Sequence, residues 1–112
     1  MIAPTPATTV VAVDAAEWRD WLEQHHASAA EAWLVVQKKA SPHPGVGLHE
    51  AVVQALCFGW IDSLSRRHDD HARAQRFTPR RDRSPWSEVN RARALELVAA
   101  GAMTPAGYAA LA

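Results

Sequence analysis

The chain has 112 residues, the size of a single domain, and 48% of them are apolar, including five tryptophans, which excludes an intrinsically disordered chain. Its apolar runs are too short to cross a bilayer, and it lacks the charged start and apolar stretch of a secretory signal, so we expect a cytoplasmic protein. The net charge of zero combines seven acidic and three basic side chains in residues 1–62 with five acidic side chains and nine arginines in residues 63–112.

The first part of the chain predicts a lead-in followed by a helix. Residues 1–12 are rich in Pro, Thr and Ala and are expected to be loose, apart from an extended piece at 9–13. Asp14 is followed three residues later by Glu17, which is the spacing of a capping box, so we predict a helix over 14–26. Trp18, Trp21, Leu22 and His25 follow at the spacing of one helix face.

The middle of the chain predicts a buried strand, a helix and a hairpin. The apolar, β-branched run within 31–39 suits a strand that is buried on both faces. After a loop rich in Pro and Gly, helical spacing returns over 48–58, and Gly59 is suited to end that helix in the left-handed conformation. Strands are predicted at 60–67 and 71–78, on either side of a turn.

The last part of the chain predicts two helices. Ser84 is suited to cap a helix and Pro85 to begin it, which predicts a helix over 85–100. Val89, Ala92, Leu95 and Val98 recur every three residues along it, and Gly101 is suited to end it. A short helix is predicted over 104–112. Together the elements predict one α+β domain over 1–112, with a small antiparallel or mixed sheet of about three strands packed with helices.

Several ordered motifs resemble those of the YdeI/OmpD-associated family. They are Ala55-Leu56-Cys57-Phe58-Gly59-Trp60-Ile61-Asp62, then Gln75-Arg76-Phe77-Thr78-Pro79-Arg80-Arg81, then Ser84 with Trp86-Ser87 and Asn90, and finally Gly101-Ala102-Met103-Thr104-Pro105-Ala106-Gly107. The resemblance runs over about 14–107 and covers only the N-terminal part of typical members, which continue into an Arg-rich helical segment. It implies kinship with a largely uncharacterised bacterial family whose name is linked to bacteriocin or antimicrobial-peptide protection and to a porin.

Residues 76–83 contain Arg76, Arg80, Arg81 and Arg83 and lead into the helix predicted at 85. We call them the Arg-rich segment, and they are the best binding candidate. A helix N-terminus offers free N–H groups and partial positive charge, and arginine adds bidentate donors for phosphate or carboxylate. The predicted ligand-binding residues are Arg76, Arg80, Arg81, Arg83, Ser84, Trp86, Asn90 and Asp62. The opposing interpretation is structural: Trp86 belongs to the core and the arginines form ion pairs.

Two other side chains have chemical potential but a simpler structural interpretation. Cys57 lies between Leu56 and Phe58 and is expected to be a small buried hydrophobe, and as the only cysteine it excludes an intrachain disulfide. Asp62 is expected to pair with Arg73 or Arg76 across the hairpin. No catalytic residue is therefore predicted.

Residues 68–71 read His-Asp-Asp-His and supply four potential metal ligands on one tight turn. Neighbouring side chains in extended backbone point to opposite faces, so the four are not expected to converge. Asp69 and Asp70 are more simply explained as turn residues whose side chains bond to their own backbone. We therefore predict no metal and no cofactor.

These features predict a binding or stress-protection domain whose basic surface meets an anionic ligand, a nucleic acid or an acidic protein partner. One alternative is a small enzyme, such as a hydrolase, that uses Asp62 with the arginines. Another is a structural domain that acts through self-association. A deep pocket that joins Asp62, Cys57 or a histidine to the arginines favours the enzyme, whereas a flat or convex positive face favours binding. The most informative observation is whether Arg76, Arg80 and Asp62 converge in one concavity.

Overall fold

The computed structural model describes residues 9–81 and 86–111, which form four strands and four helices. The elements in chain order are β1 (Thr9–Val10), α1 (Ala15–His25), β2 (Ala32–Gln37), α2 (Leu48–Leu56), β3 (Trp60–Arg67), β4 (Ala72–Pro79), α3 (Glu88–Ala99) and α4 (Pro105–Leu111). The fold is therefore α+β, as predicted. In this described part of the chain, no helix has the length and apolarity needed to span a membrane.

The strands form one mixed sheet in the order β1-β2-β4-β3. β1 runs parallel to β2, whereas β4 is antiparallel to both β2 and β3. The three predicted strands are present, and β1 is a fourth strand within the extended piece predicted at 9–13. Val10 and Ala12 are buried in the core, so this part of the predicted lead-in is packed. Residues 1–8 lie outside the described residues.

α1 begins where the capping box predicts it. The Asp14 Oδ1 atom accepts a hydrogen bond from the Glu17 N–H at 2.9 Å, and the Glu17 Oε2 atom accepts one from the Val13 N–H at 2.6 Å. The Trp18 side chain is fully buried, and its Nε1 atom donates to the Ala51 carbonyl of α2 at 3.0 Å. This bond ties α1 to α2 on one face of the sheet.

β2 is buried on both faces, as its apolar sequence predicts. Ala32, Leu34 and Val36 belong to the main core, together with residues of α1 and α2. Trp33 and Val35 alternate with them and project from the opposite face, where each is only 5% exposed. Both faces of β2 are therefore shielded from solvent by other parts of the protein.

The turn between α2 and β3 depends on glycine, as predicted. Gly59 has a φ of 74°, and a Cβ atom there would lie 2.9 Å from the Ala106 carbonyl oxygen. The start of α4 is attached to the same turn, because the Thr104 Oγ1 atom donates to the Cys57 carbonyl at 2.5 Å. Cys57 is fully buried, in agreement with its predicted role as a small hydrophobe.

The predicted start of α3 is wrong. Its N-cap is Ser87, whose Oγ atom accepts a hydrogen bond from the Asn90 N–H at 3.1 Å, and the helix begins at Glu88. The predicted cap, Ser84, lies outside the described residues. Both serines have a side chain that can cap a helix, so local chemistry alone does not choose between them.

The spacing of three residues in the sequence of α3 does not mark the buried face of this helix. Val89 and Leu95 are 59% and 55% exposed, whereas Ala94 is buried and Leu97 packs against the core. A repeat of three residues drifts around a helix that has 3.6 residues per turn, so these positions do not stay on one face.

We expect Trp60→Ala to destabilise the fold strongly. The Trp60 side chain is 1% exposed and its ring meets Trp21 edge-on, with 6.0 Å between the ring centroids. Its removal should lower the free energy of unfolding by about 3–5 kcal/mol, as large-to-small core substitutions do. Urea denaturation measures this, with exposed Leu64 as the control: Leu64→Ala should change stability by no more than about 0.5 kcal/mol. A loss below about 1 kcal/mol for Trp60→Ala would contradict a core role.

Candidate functional site

The predicted site residues do not meet in one concavity. Arg76 pairs in register with Trp33 and projects from the same face of the sheet as that ring, whereas Asp62 pairs with Phe77 on the helix-covered face. Arg81 is exposed just after β4. Arg83 and Ser84 lie outside the described residues.

Arg76 is held by a salt bridge beside Trp33. The Arg76 Nε atom lies 2.7 Å from the Glu31 Oε2 atom, and the Trp33 Nε1 atom donates to the Glu31 Oε1 atom at 3.3 Å. The Arg66 guanidinium lies over the same indole, 4.8 Å from the ring centroid. The Arg76 hydrogen bond is the main cause that lowers the pKa of Glu31 from its usual value. These contacts cover the face of β2 opposite the helices.

The expected ion pair between Asp62 and Arg73 or Arg76 is wrong. Arg76 points away from Asp62 because adjacent residues of a strand alternate between faces. Arg73 lies further along β4, where its Nε atom donates to the Ser65 Oγ atom at 2.7 Å. Among the described residues, Asp62 forms no salt bridge.

Arg80 and Trp86 form a second arginine–aromatic contact. The Arg80 guanidinium lies 4.5 Å from the centroid of the Trp86 ring, and its Nη1 atom donates to the Ala110 carbonyl at 3.1 Å. Trp86 is half-buried and packs against the core. The Asn90 Oδ1 atom accepts a hydrogen bond from the Arg93 Nη1 atom at 3.3 Å. The contacts of this group are therefore mainly internal.

The His-Asp-Asp-His segment forms the predicted turn. The Asp69 Oδ1 atom accepts hydrogen bonds from the N–H groups of His71 at 2.7 Å and Ala72 at 2.8 Å, and the bond from His71 is the main cause that lowers the pKa of Asp69. Asp70 forms a salt bridge with Arg67. Within the described ranges, no three His, Cys, Asp or Glu side chains are grouped to hold a metal ion.

A cavity of about 830 Å³ lies at the opposite end of the sheet from Arg80, where the sequence predicted no site. We call it the sheet-end cavity. Its walls are the ends of β2 and β4, the loop that joins β2 to α2, and the first turn of α2, with Val36 and Leu48 among the apolar lining residues. Arg73, Gln75 and Ser65 line it from the sheet. These three side chains project from the helix-covered face, because Gln75 pairs with core Leu34.

Three cationic side chains line the sheet-end cavity: Lys38, Lys39 and Arg73. None of them forms a salt bridge with a carboxylate of a described residue. The Lys38 Nζ atom has only a long bond to the Asp70 carbonyl at 3.4 Å, and Arg73 uses its Nε atom for Ser65. Glu50 is the single acidic side chain among the described lining residues, so the cavity has a positive net charge.

The N-terminus of α2 adds unpaired donors to this cavity. Its N-cap, Gly47, provides no side-chain hydrogen bond, and the N–H groups of Leu48, His49 and Glu50 donate to no described residue. Such groups carry the positive end of the helix dipole and favour a bound anion. The sequence signal was available, namely two lysines followed by a Gly-rich helix start. The Pro and Gly content of this segment by itself predicts only a loop.

One family model matches the chain, and the description of that family names no activity. The model of a family described as Domain of unknown function (DUF8412) matches residues 10–110. No curated protein and no solved structure matches the chain. The family match does not test the resemblance to YdeI/OmpD-associated proteins, which stays a prediction.

The salt bridge at Glu31 predicts a pH-dependent contribution to stability. The folded-state pKa of Glu31 is lowered, so the ionised side chain stabilises the fold above its unfolded pKa, and this contribution is lost as pH falls through the folded pKa. Glu31→Gln should lower the free energy of unfolding at pH 7 by up to about 1 kcal/mol, the range for partly exposed pairs. In urea denaturation the difference should shrink as pH is lowered from 7 towards 3. Exposed Glu23→Gln is the control. A difference that does not change with pH would contradict the assignment.

Proposed function

The chain belongs to the DUF8412 family, and we propose that it is a binding domain for a small anionic ligand that occupies the sheet-end cavity. The observation that carries the proposal is the group of three cations without a carboxylate partner, Lys38, Lys39 and Arg73, beside the uncapped start of α2. Positive charge that is concentrated in one concave site favours a compact anion over an extended polymer.

The cavity has the chemistry that such a ligand needs. Arg73 keeps its Nη groups free of any described acceptor, so its guanidinium is available to bind a carboxylate or phosphate with two hydrogen bonds. The two lysines supply compact positive charges. Val36 and Leu48 add apolar surface for the uncharged part of the ligand. The volume of about 830 Å³ lies within the range of roughly 300–1,000 Å³ that is typical of small-molecule sites.

A nucleic acid or an acidic protein bound at the Arg-rich segment is supported less well. Arg76 is paired with Glu31, and Arg80 is stacked on Trp86 and bonded to a backbone carbonyl. Binding of a polyanion at these two arginines would have to replace internal contacts. The protection role that the YdeI/OmpD-associated resemblance implies stays a prediction, and it specifies no ligand.

The enzyme alternative is also supported less well. It needs Asp62 to act together with the arginines, but Asp62 and Arg76 lie on opposite faces of the sheet. The Cys57 thiol is buried, and its Sγ atom donates to the Val53 carbonyl at 3.4 Å, so it is not presented to a ligand. Binding therefore remains the favoured function.

We expect the chain to bind inorganic pyrophosphate, used as a compact anionic probe, in isothermal titration at low salt. Lys39→Ala combined with Arg73→Ala should weaken binding at least tenfold, about 1.4 kcal/mol of binding free energy. The melting temperature should change little because both side chains are exposed and form no salt bridge within the described residues.

The matched control is Arg81→Ala combined with Arg91→Ala, which removes the same charge from exposed positions outside the cavity lining. Its affinity for pyrophosphate should stay within about twofold of the native chain, because exposed distant charges are screened by salt. Equal losses in both double variants, or no binding by the native chain, would contradict the proposal. Binding of labelled single-stranded DNA that only the control variant weakens would favour the Arg-rich segment instead.

A further inference from the structure

Gln75 stands out in the wall of the sheet-end cavity. It is the one buried polar side chain among the described residues, at 7% exposure. Its Nε2 atom donates to the Leu64 carbonyl at 2.9 Å, but no described donor reaches its Oε1 atom. Buried polar atoms are nearly always hydrogen-bonded, so an acceptor without a partner at a cavity wall points to a donor that the ligand supplies.

The backbone fixes which end of the amide is available. Gln75 lies between Leu34 of β2 and Ser65 of β3 in the sheet, and the register of β3 shifts between Asp62 and Ser65. Within this irregularity the Leu64 carbonyl accepts a hydrogen bond from the Gln75 side chain. A carbonyl accepts only from a donor, so the amide nitrogen must face Leu64 and the Oε1 atom is left as an acceptor.

We propose that the ligand of the sheet-end cavity is a hydroxylated anion, of the sugar-phosphate or sugar-acid kind, whose hydroxyl group donates to Gln75 Oε1. This inference rests on the proposed function, because the anionic group is bound by Lys38, Lys39, Arg73 and the start of α2. The same cations favour a hydroxyl over an ammonium group as the donor, since a second positive charge would be repelled. Alkyl phosphates and alkyl carboxylates, which have no alcohol hydroxyl group, should therefore bind less tightly than their hydroxylated counterparts.

A buried acceptor of this kind produces selectivity. A ligand without a hydroxyl group at this point leaves Gln75 Oε1 both shielded from water and unpaired, which a ligand with the hydroxyl avoids. Sites built to bond a substrate hydroxyl reject analogues that lack it much more strongly than apolar pockets reject a missing methylene. The cavity should therefore discriminate by hydroxyl groups and not only by charge.

The test compares the affinities of the native chain for glucose 6-phosphate, n-hexyl phosphate and inorganic phosphate by isothermal titration. Glucose 6-phosphate should bind at least tenfold more tightly than n-hexyl phosphate, which has the same charged group on an apolar chain. Gluconate replaces the phosphate by a carboxylate and should bind at least tenfold more tightly than hexanoate. Its affinity relative to glucose 6-phosphate shows which anionic group the cavity prefers.

The variant Gln75→Leu should reduce the affinity for glucose 6-phosphate at least tenfold and leave that for inorganic phosphate within about twofold, since the cations are retained. The comparison on the native chain does not depend on how well this variant folds. Equal binding of glucose 6-phosphate and n-hexyl phosphate would overturn the inference but leave the proposed function in place. Failure of every anion to bind would overturn both.

Discussion

Because β2 is buried on both faces, side chains from the rest of the fold must shield it from water on two sides. Its apolar side chains alternate between the helix-covered core and the opposite face, where Trp33 needs a second cover. Arg66 lies over that ring, and Arg76 is fixed beside it by Glu31. Arginine suits this task because its stem covers apolar surface while its guanidinium stays in water and is attracted to the ring face. Part of the arginine content is therefore explained by packing.

Two groups of cations differ in their partners. Arg66, Arg80 and Arg19 each lie over an aromatic ring, respectively that of Trp33, Trp86 and Phe58. Lys38, Lys39 and Arg73 have neither an aromatic nor a carboxylate partner among the described residues, and they surround the sheet-end cavity. Strand alternation makes the division on β4: Arg73 and Arg76 are three positions apart, so they project from opposite faces. Arg73 lines the sheet-end cavity, whereas Arg76 lies beside Trp33.

Local signals in the sequence predicted the strands and their neighbours well. The capping box at Asp14, the doubly buried run of β2 and the left-handed Gly59 are each decided by a few adjacent residues. The start of α3 was not decided in this way, because Ser84 and Ser87 are both suitable caps. The predicted ion pair of Asp62 was wrong because such a pair depends on which face of the sheet each strand residue occupies. The cavity depends on where α2 begins relative to the sheet, a relation between distant segments that local patterns do not contain.

Packing occupies the arginines near Trp33 and Trp86, whereas we propose that the cations of the sheet-end cavity are available to an anion. The most direct measurement is a two-dimensional 1H–15N NMR titration of the native chain with pyrophosphate at low salt. The largest shifts should occur at Arg73 and at the amides of Leu48, His49 and Glu50, whose N–H groups have no described acceptor. Shifts confined to Arg80, Arg81 and Trp86 would contradict this proposal.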